Sequence, residues 1–349
     1  MSIARLRPML LVTLALALGG CGAGTGPSAA TVHASQTGTG SRATTGAVTS
    51  SSSTSTTTPM LPGTGRPEVT IGDKNYTEQF VLGQLYLQAL EAQGFQVNIT
   101  QNIGPPAVVR NALLKDRSLA MYPEYLNDFD QMIADLHRGF HTERSADRAG
   151  EIWAHRHGLR LLTPTPFSDT TAIAVTDAYA AAHRLRTIAG LSQVGATLVV
   201  GGAAPFATTR VGLPALSAIY GFAPETFRAL AVGSQYGDLD TDTIQAAFVN
   251  TTDGQLASGD YRVLGDPRRV FGFGNVVPVV SARVLAMEGP AFARTINRVD
   301  RTLTLATMRA LNNAADSTTA TGATPTSVAT QYLQTHGLLT PLPAASPAG

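Results

Sequence analysis

The residues most able to do chemistry are scattered through this chain rather than grouped. His155 and His157 are two apart near the end of a helical pattern. That spacing does not put them on one helix face, so they read as exposed polar residues rather than a ligand pair. Asp238, Asp240 and Asp242 imitate the start of a calcium loop. Position six of that loop is Thr243 rather than Gly, however, and position twelve is Val249 rather than Glu. A helix N-terminus rich in acids accounts for the run as well. Gly272-Phe273-Gly274 is only a fragment of a dinucleotide fingerprint. There is no His-Glu-x-x-His, no Gly-x-Ser-x-Gly and no phosphate loop ending in Gly-Lys-Ser/Thr. The one cysteine, Cys21, excludes a disulfide framework and a multi-cysteine zinc site. No nucleophile, base and oxyanion site assembles. The reading is non-enzymatic, with no cofactor and no metal.

The chain has 349 residues, 44% of them hydrophobic and 14% charged, enough for two ordinary domains once processed stretches are subtracted. Its 25 basic and 24 acidic residues leave a net charge of +1, which removes the footprint of a nucleic-acid binder. Arg5 and Arg7 precede an apolar run from Met9 to Leu18, and no acid occurs before Glu68. This is the pattern of a secretory signal over residues 1–20, too short to span a bilayer. Cys21 directly follows Gly19-Gly20, which resembles the bacterial lipobox, whose cysteine receives diacylglycerol and becomes the new N-terminus. Between Thr25 and Thr58, 19 of 34 residues are Ser or Thr. Residues 21–66 therefore read as a disordered tether with a reach on the order of 35–40 Å. The expected location is the extracytoplasmic face of a cell membrane, held by the N-terminal lipid.

After residue 67 short strands alternate with helices. Glu68–Gly72 reads as a strand, and Asn75 with Glu78 forms an N-cap pair before a helix with Val81, Leu82, Leu85, Tyr86, Ala89 and Leu90 at helical spacing. Further strands are expected near Phe95–Ile99, Leu119–Met121, Thr170–Thr176, Thr197–Val200, Ala229–Val232 and Val276–Val280. Helices are expected near Ala107–Lys115, across most of Glu124–His157, and at Pro214–Tyr220, Thr241–Ala247, Pro290–Leu311 and Thr324–Leu333. The alternation points to the α/β class. Residues 341–349 read as a frayed tail.

Lys74-Asn75-Tyr76-Thr77-Glu78-Gln79 opens the first helix and resembles the Lys-Asn-Phe-Thr-Glu-Gln motif of substrate-binding proteins from osmoprotectant ABC transporters. Tyr122-Pro123-Glu124-Tyr125 is similar to that family's Tyr-x-Glu-Tyr loop. Phe167–Val175 resembles its inter-lobe strand. Gly201-Gly202, Gly212-Leu213-Pro214, Tyr220-Gly221-Phe222 and Thr252-Asp253-Gly254 follow in the same order. The likeness runs from about residue 68 to 335. It implies a two-lobe clamshell of the periplasmic-binding-protein type II, each lobe a mainly parallel sheet flanked by helices. Residues 67–169 and 275–340 would form lobe I and 170–274 lobe II, with hinges near Thr170–Ala172 and Asn275–Pro278. The implied function is a lipid-anchored receptor that closes on glycine betaine, choline, carnitine or proline and delivers it to an ABC permease and its ATPase subunits.

The family holds a trimethylammonium group against aromatic faces. Under the resemblance Tyr125 keeps one such face, whereas Thr171, Asn250 and Gly274 stand where the family carries aromatic residues. Phe273, Tyr236 and Phe248 are the candidates to replace them. The ligand-binding set so implied is Gln79, Tyr125, Asp169, Thr171, Asn250, Gly274, Asn275 and Tyr236. A larger, more polar pocket would instead suit a neutral polar or hydroxylated aromatic ligand. Two other readings stay open: a sensor lipoprotein that no longer serves uptake, and a two-lobe transferase, against which the missing catalytic residues speak.

Overall fold

Two five-stranded sheets organise the chain in a computed structural model that describes residues 60–116, 118–136, 139–194, 197–316 and 323–340. Cys21, the signal, the Ser/Thr-rich stretch to residue 59 and the tail from 341 lie outside the described residues. Strands β1 (Val69–Gly72), β2 (Val97–Thr100), β3 (Met121–Tyr125) and β4 (Leu159–Leu161) belong to the first sheet. The second takes β5 (Thr171–Thr176), β6 (Val199–Gly202), β7 (Thr226–Ala229), β8 (Ala246–Asn250) and β9 (Tyr261–Val263). Strand β10 (Val276–Ser281) then returns to the first. The orders are β2-β1-β3-β10-β4 and β7-β6-β8-β5-β9. In each sheet the strand that has just crossed over runs antiparallel to both neighbours: β10 between β3 and β4, β5 between β8 and β9. The remaining strands of each sheet share one direction. This is the mixed-sheet clamshell.

The first lobe is built around the Thr77–Glu91 helix. Its Val81, Leu82, Leu85, Tyr86 and Leu90 are fully buried against the Pro290–Asp300 and Pro325–Thr335 helices. Proline at the first turn of both partners fits a position whose N–H has no helical acceptor. Residues 61–66, expected within the tether, are already packed: Gly63 donates to the Gln93 carbonyl at 2.9 Å, and Arg66 donates to that of Met287 at 2.6 Å.

Several elements differ from the sequence expectation. Tyr76, not Asn75, occupies the N-cap position of the first helix, and it makes no side-chain cap. Glu78 does not turn back to cap because buried donors claim it, as described below. The expected helix at Thr241–Ala247 is replaced by a helix at Gln235–Asp240 and strand β8. An apolar run buried on both faces of a central strand has no alternation to betray it. Strand β7 ends where Ala229–Val232 was expected to begin. The span from Pro290 to Leu311 splits into Pro290–Asp300 and Leu305–Ala315, because Thr304 caps a new helix through the Thr307 N–H at 3.1 Å.

The two crossing segments are bonded to each other. Asp169 N–H donates to the Gly274 carbonyl at 2.9 Å, and Gly274 N–H donates to Ser168 Oγ at 2.9 Å. The crossing thus lies at 168–170 and 273–275, at the leading edge of the expected hinges. A Cβ on Gly274 would lie 1.6 Å from the Asp169 carbonyl oxygen. No side chain fits there. Gly274→Ala is expected to lower unfolding free energy by about 1–3 kcal/mol or more, read as a lower urea midpoint.

Candidate functional site

Between the sheets lies a cavity of about 710 Å³ to which both lobes and one crossing strand contribute, within the usual size of small-molecule sites. Lobe I supplies Tyr76 and Glu78 from the start of its first helix, and Asn312 and Asp316 from the Leu305–Ala315 helix and its end. Asp169 comes from the crossing. Lobe II supplies Phe206, Tyr236, Phe248, Asn250 and Asp253.

The floor on the lobe I side is a buried network centred on Glu78. Its Oε1 accepts the Tyr125 hydroxyl at 2.8 Å, and its Oε2 accepts Asn312 Nδ2 at 2.8 Å. The same Nδ2 donates to the Thr252 carbonyl at 2.9 Å, so Asn312 joins the two lobes through one amide. Burial pushes the Glu78 carboxyl above the ordinary glutamate range, opposed by Thr252, Asn312 and Tyr125. Asp169 is raised further by burial and by the Glu78 charge. Asp253 is raised by burial, although Tyr236 donates to it at 2.7 Å and the Asn250 N–H at 3.1 Å.

Tyr125 lies behind this wall. One side of its ring stacks with Tyr76, centroids 6.2 Å apart at 24°, and Lys74 Nζ stands 5.6 Å from its centroid. Lys74 is itself bound to Glu124 and, at 3.3 Å, to Asp128. Burial works against the lysine charge, but these carboxylates outweigh it and hold its ammonium above the ordinary lysine value. Tyr125 is therefore occupied on its ring and at its hydroxyl, and Tyr76, 39% exposed, meets the cavity in its stead. On the lobe II side Phe206 and Phe248 stack at 4.4 Å and 4°.

The residues singled out from sequence fall into different places. Asp169, Asn250 and Tyr236 line this cavity. Gln79 is fully buried beneath it, its Oε1 accepting the Lys74 N–H at 3.3 Å and its amide beside the Tyr125 hydroxyl. Thr171 and Asn275 line a second cavity of about 560 Å³ instead, and the Asn275 amide is committed to the Thr165 carbonyl at 3.0 Å. Gly274 is a backbone crossing point. Phe273 borders the second cavity with Arg269 over its ring at 5.0 Å, so it does not replace a lost face in the first. Tyr76, Glu78, Phe206, Thr252, Asp253 and Asn312 also line the larger cavity and were not in the sequence-derived set. Tyr76, Glu78, Thr252 and Asp253 sat inside motifs already quoted. Phe206 and Asn312 carried no local signal.

Residues 67–335 match the family described as the substrate binding domain of ABC-type glycine betaine transport systems. The chain belongs to this family. It is 29% identical over 287 residues to a glycine-betaine-binding protein of Pseudomonas aeruginosa, covering 77% of this chain and 88% of the relative. It is also 29% identical over 289 residues to the glycine betaine-binding protein YehZ of Escherichia coli, covering 79% and 93%. The solved apo structure of YehZ matches with a TM-score of 0.66 over 78% of this chain and 99% of that one. A glycine betaine/carnitine/choline ABC transporter structure matches at 0.72, covering 78% and 99% at 22% identity, a likeness of fold. Family membership makes the chain a non-catalytic, extracytoplasmic solute-binding receptor of an ABC importer of the osmoprotectant class. Family identity implies cooperation with permease and ATPase subunits. No described helix is long and apolar enough to cross a membrane, and among the described residues no three His, Cys, Asp or Glu side chains are placed so that they could hold a metal ion together.

Asp73, next to Lys74, tests the electrostatics of this corner. Burial pushes its carboxyl to about 6, against the hydrogen bond from the Asn102 N–H at 3.3 Å. The folded state thus binds a proton that the unfolded state has released, so this group loses stability as pH rises from about 4 to 6. Asp73→Asn is expected to stabilise the protein at pH 7 and to lose that advantage below pH 4, measured by urea unfolding at both values.

Proposed function

We propose that the larger inter-lobe cavity is where this receptor captures its solute, and that the solute carries a methylated ammonium group. The observation that carries the reading is the pairing of aromatic walls with carboxylates contributed from both lobes. Aromatic faces attract a greasy cation through their quadrupole, by about 0.5–2 kcal/mol each. The carboxylates add Coulomb attraction. A ligand touching both lobes stabilises the closed arrangement by its differential affinity for that state, and closure creates the surface a permease reads. The relatives named for glycine betaine support the same solute class.

Lipidation at Cys21 and a flexible tether through the Ser/Thr-rich stretch complete the proposal. They would keep the receptor beside its permease while leaving the lobes free to collect solute.

Calorimetric titration of the purified full chain with glycine betaine, choline, carnitine and proline tests this function. Saturable binding of at least one quaternary ammonium is expected, and Tyr76→Ala is expected to weaken it roughly 2- to 30-fold. No heat with any of them would mean that the cavity serves another ligand, such as a neutral hydroxylated aromatic.

A further inference from the structure

The larger cavity has four carboxylates on its lining, Glu78, Asp169, Asp253 and Asp316, and no Lys, Arg or His among the described lining residues. Of the basic side chains close by, Lys74 is engaged elsewhere, and Arg309 lies outside the lining although its charge acts on Asp253. Arg309 donates Nε to the Thr251 carbonyl at 2.7 Å, and Lys74 is bound to Glu124 and Asp128 behind Tyr125. Asn312, 8% exposed, adds an acceptor: its Nδ2 is spent on Glu78 and Thr252, and its Oδ1 has no partner. A ligand carboxylate would therefore meet acceptors and like charges. An organic cation would meet what it needs.

The carboxylates also compete among themselves. Thr252 lies beside both carboxyls and opposes the rise of each. The groups around the pair offer little relief. Tyr125 and Asn312 donate to Glu78, the Thr251 hydroxyl reaches Asp169 at 3.5 Å, Asp253 adds negative charge that Arg309 partly offsets, and Tyr76, Tyr86 and Tyr236 are neutral phenols. Two carboxylates on one cavity wall, Glu78 buried and Asp169 partly so, cannot both ionise cheaply.

We propose that the cleft prefers a permanently cationic organic ligand without a carboxylate of its own, and that the Glu78–Asp169 pair releases one proton to solvent as that cation enters. This rests on the cavity being the solute site and names the ligand charge it selects. The incoming positive charge takes over the stabilisation that the proton gave, so charge is conserved within the cavity. Choline and tetramethylammonium meet the requirement. Glycine betaine brings an anionic end for which the described lining offers no cation.

The test is calorimetric titration of the full chain with tetramethylammonium, choline and glycine betaine at pH 5.5 and pH 7.5, each in two buffers of different protonation enthalpy. Choline is expected to bind at least tenfold tighter than glycine betaine at pH 7.5. Its affinity should fall by up to tenfold per pH unit on acidification, and its apparent heat should differ between buffers by the amount that release of about one proton requires. Asp169→Asn should weaken choline binding and abolish the buffer dependence, with unfolding curves confirming that the variant is folded. Glycine betaine binding as tightly as choline, or choline heats independent of buffer, overturns the proposal and leaves the receptor function standing. Silence from all three cations overturns both.

Discussion

A single buried carboxylate, Glu78, ties together parts of the chain that are otherwise far apart in sequence. Its two oxygens are held by Tyr125 from β3 and by Asn312 from a helix more than two hundred residues later. Because Asn312 also grasps the Thr252 carbonyl, the carboxylate is connected to lobe II through one amide group. A charge so deeply placed persists only when its lone pairs are satisfied. The positions of Tyr125, Asn312 and Thr252 are therefore conditions on one another. Losing one leaves buried polar atoms stranded in the others.

That constraint explains the arrangement of aromatic groups. Tyr125 is fixed by its hydroxyl and stacked under Tyr76, so it supports the wall rather than forming its surface. Lys74 neutralises Glu124 on the far side, separating the basic charge of the corner from the acidic lining of the cavity. The opposite wall has its own pair, Phe206 stacked on Phe248. The lobe I wall presents one ring backed by a second, whereas both rings of the lobe II pair line the cavity.

Much of this was readable in the linear sequence. The helix at Thr77–Glu91 announced itself through its apolar periodicity, and the family motifs placed the chain in a two-lobe class. The unreadable parts have physical reasons. Asn75 and Glu78 have the spacing of a cap, yet tertiary donors claimed Glu78. Gly274, aligned with an aromatic position, sits where another strand's carbonyl leaves no room for a side chain. Thr171 and Asn275 are close to Asp169 in the crossing but turn to the other cavity. Neighbourhood along the chain does not settle which side of a crossing a residue faces. Phe206 and Asn312 reach the cavity through folding alone.

The contact made by the Leu305–Ala315 helix has a mechanical meaning. Two crossing strands bonded to each other would let one lobe both swing and twist about them. Here Arg309 and Asn312 grip the carbonyls of Thr251 and Thr252, and Gly254 lies flush against Asn313, its missing side chain admitting the helix backbone. This helix is a third strut beside the two strands. It resists rotation that shears the loop after β8 along the helix, while bending at the crossing remains less hindered. The fold thus converts a joint with several freedoms into one with a preferred path, so that successive openings return the same surfaces to register.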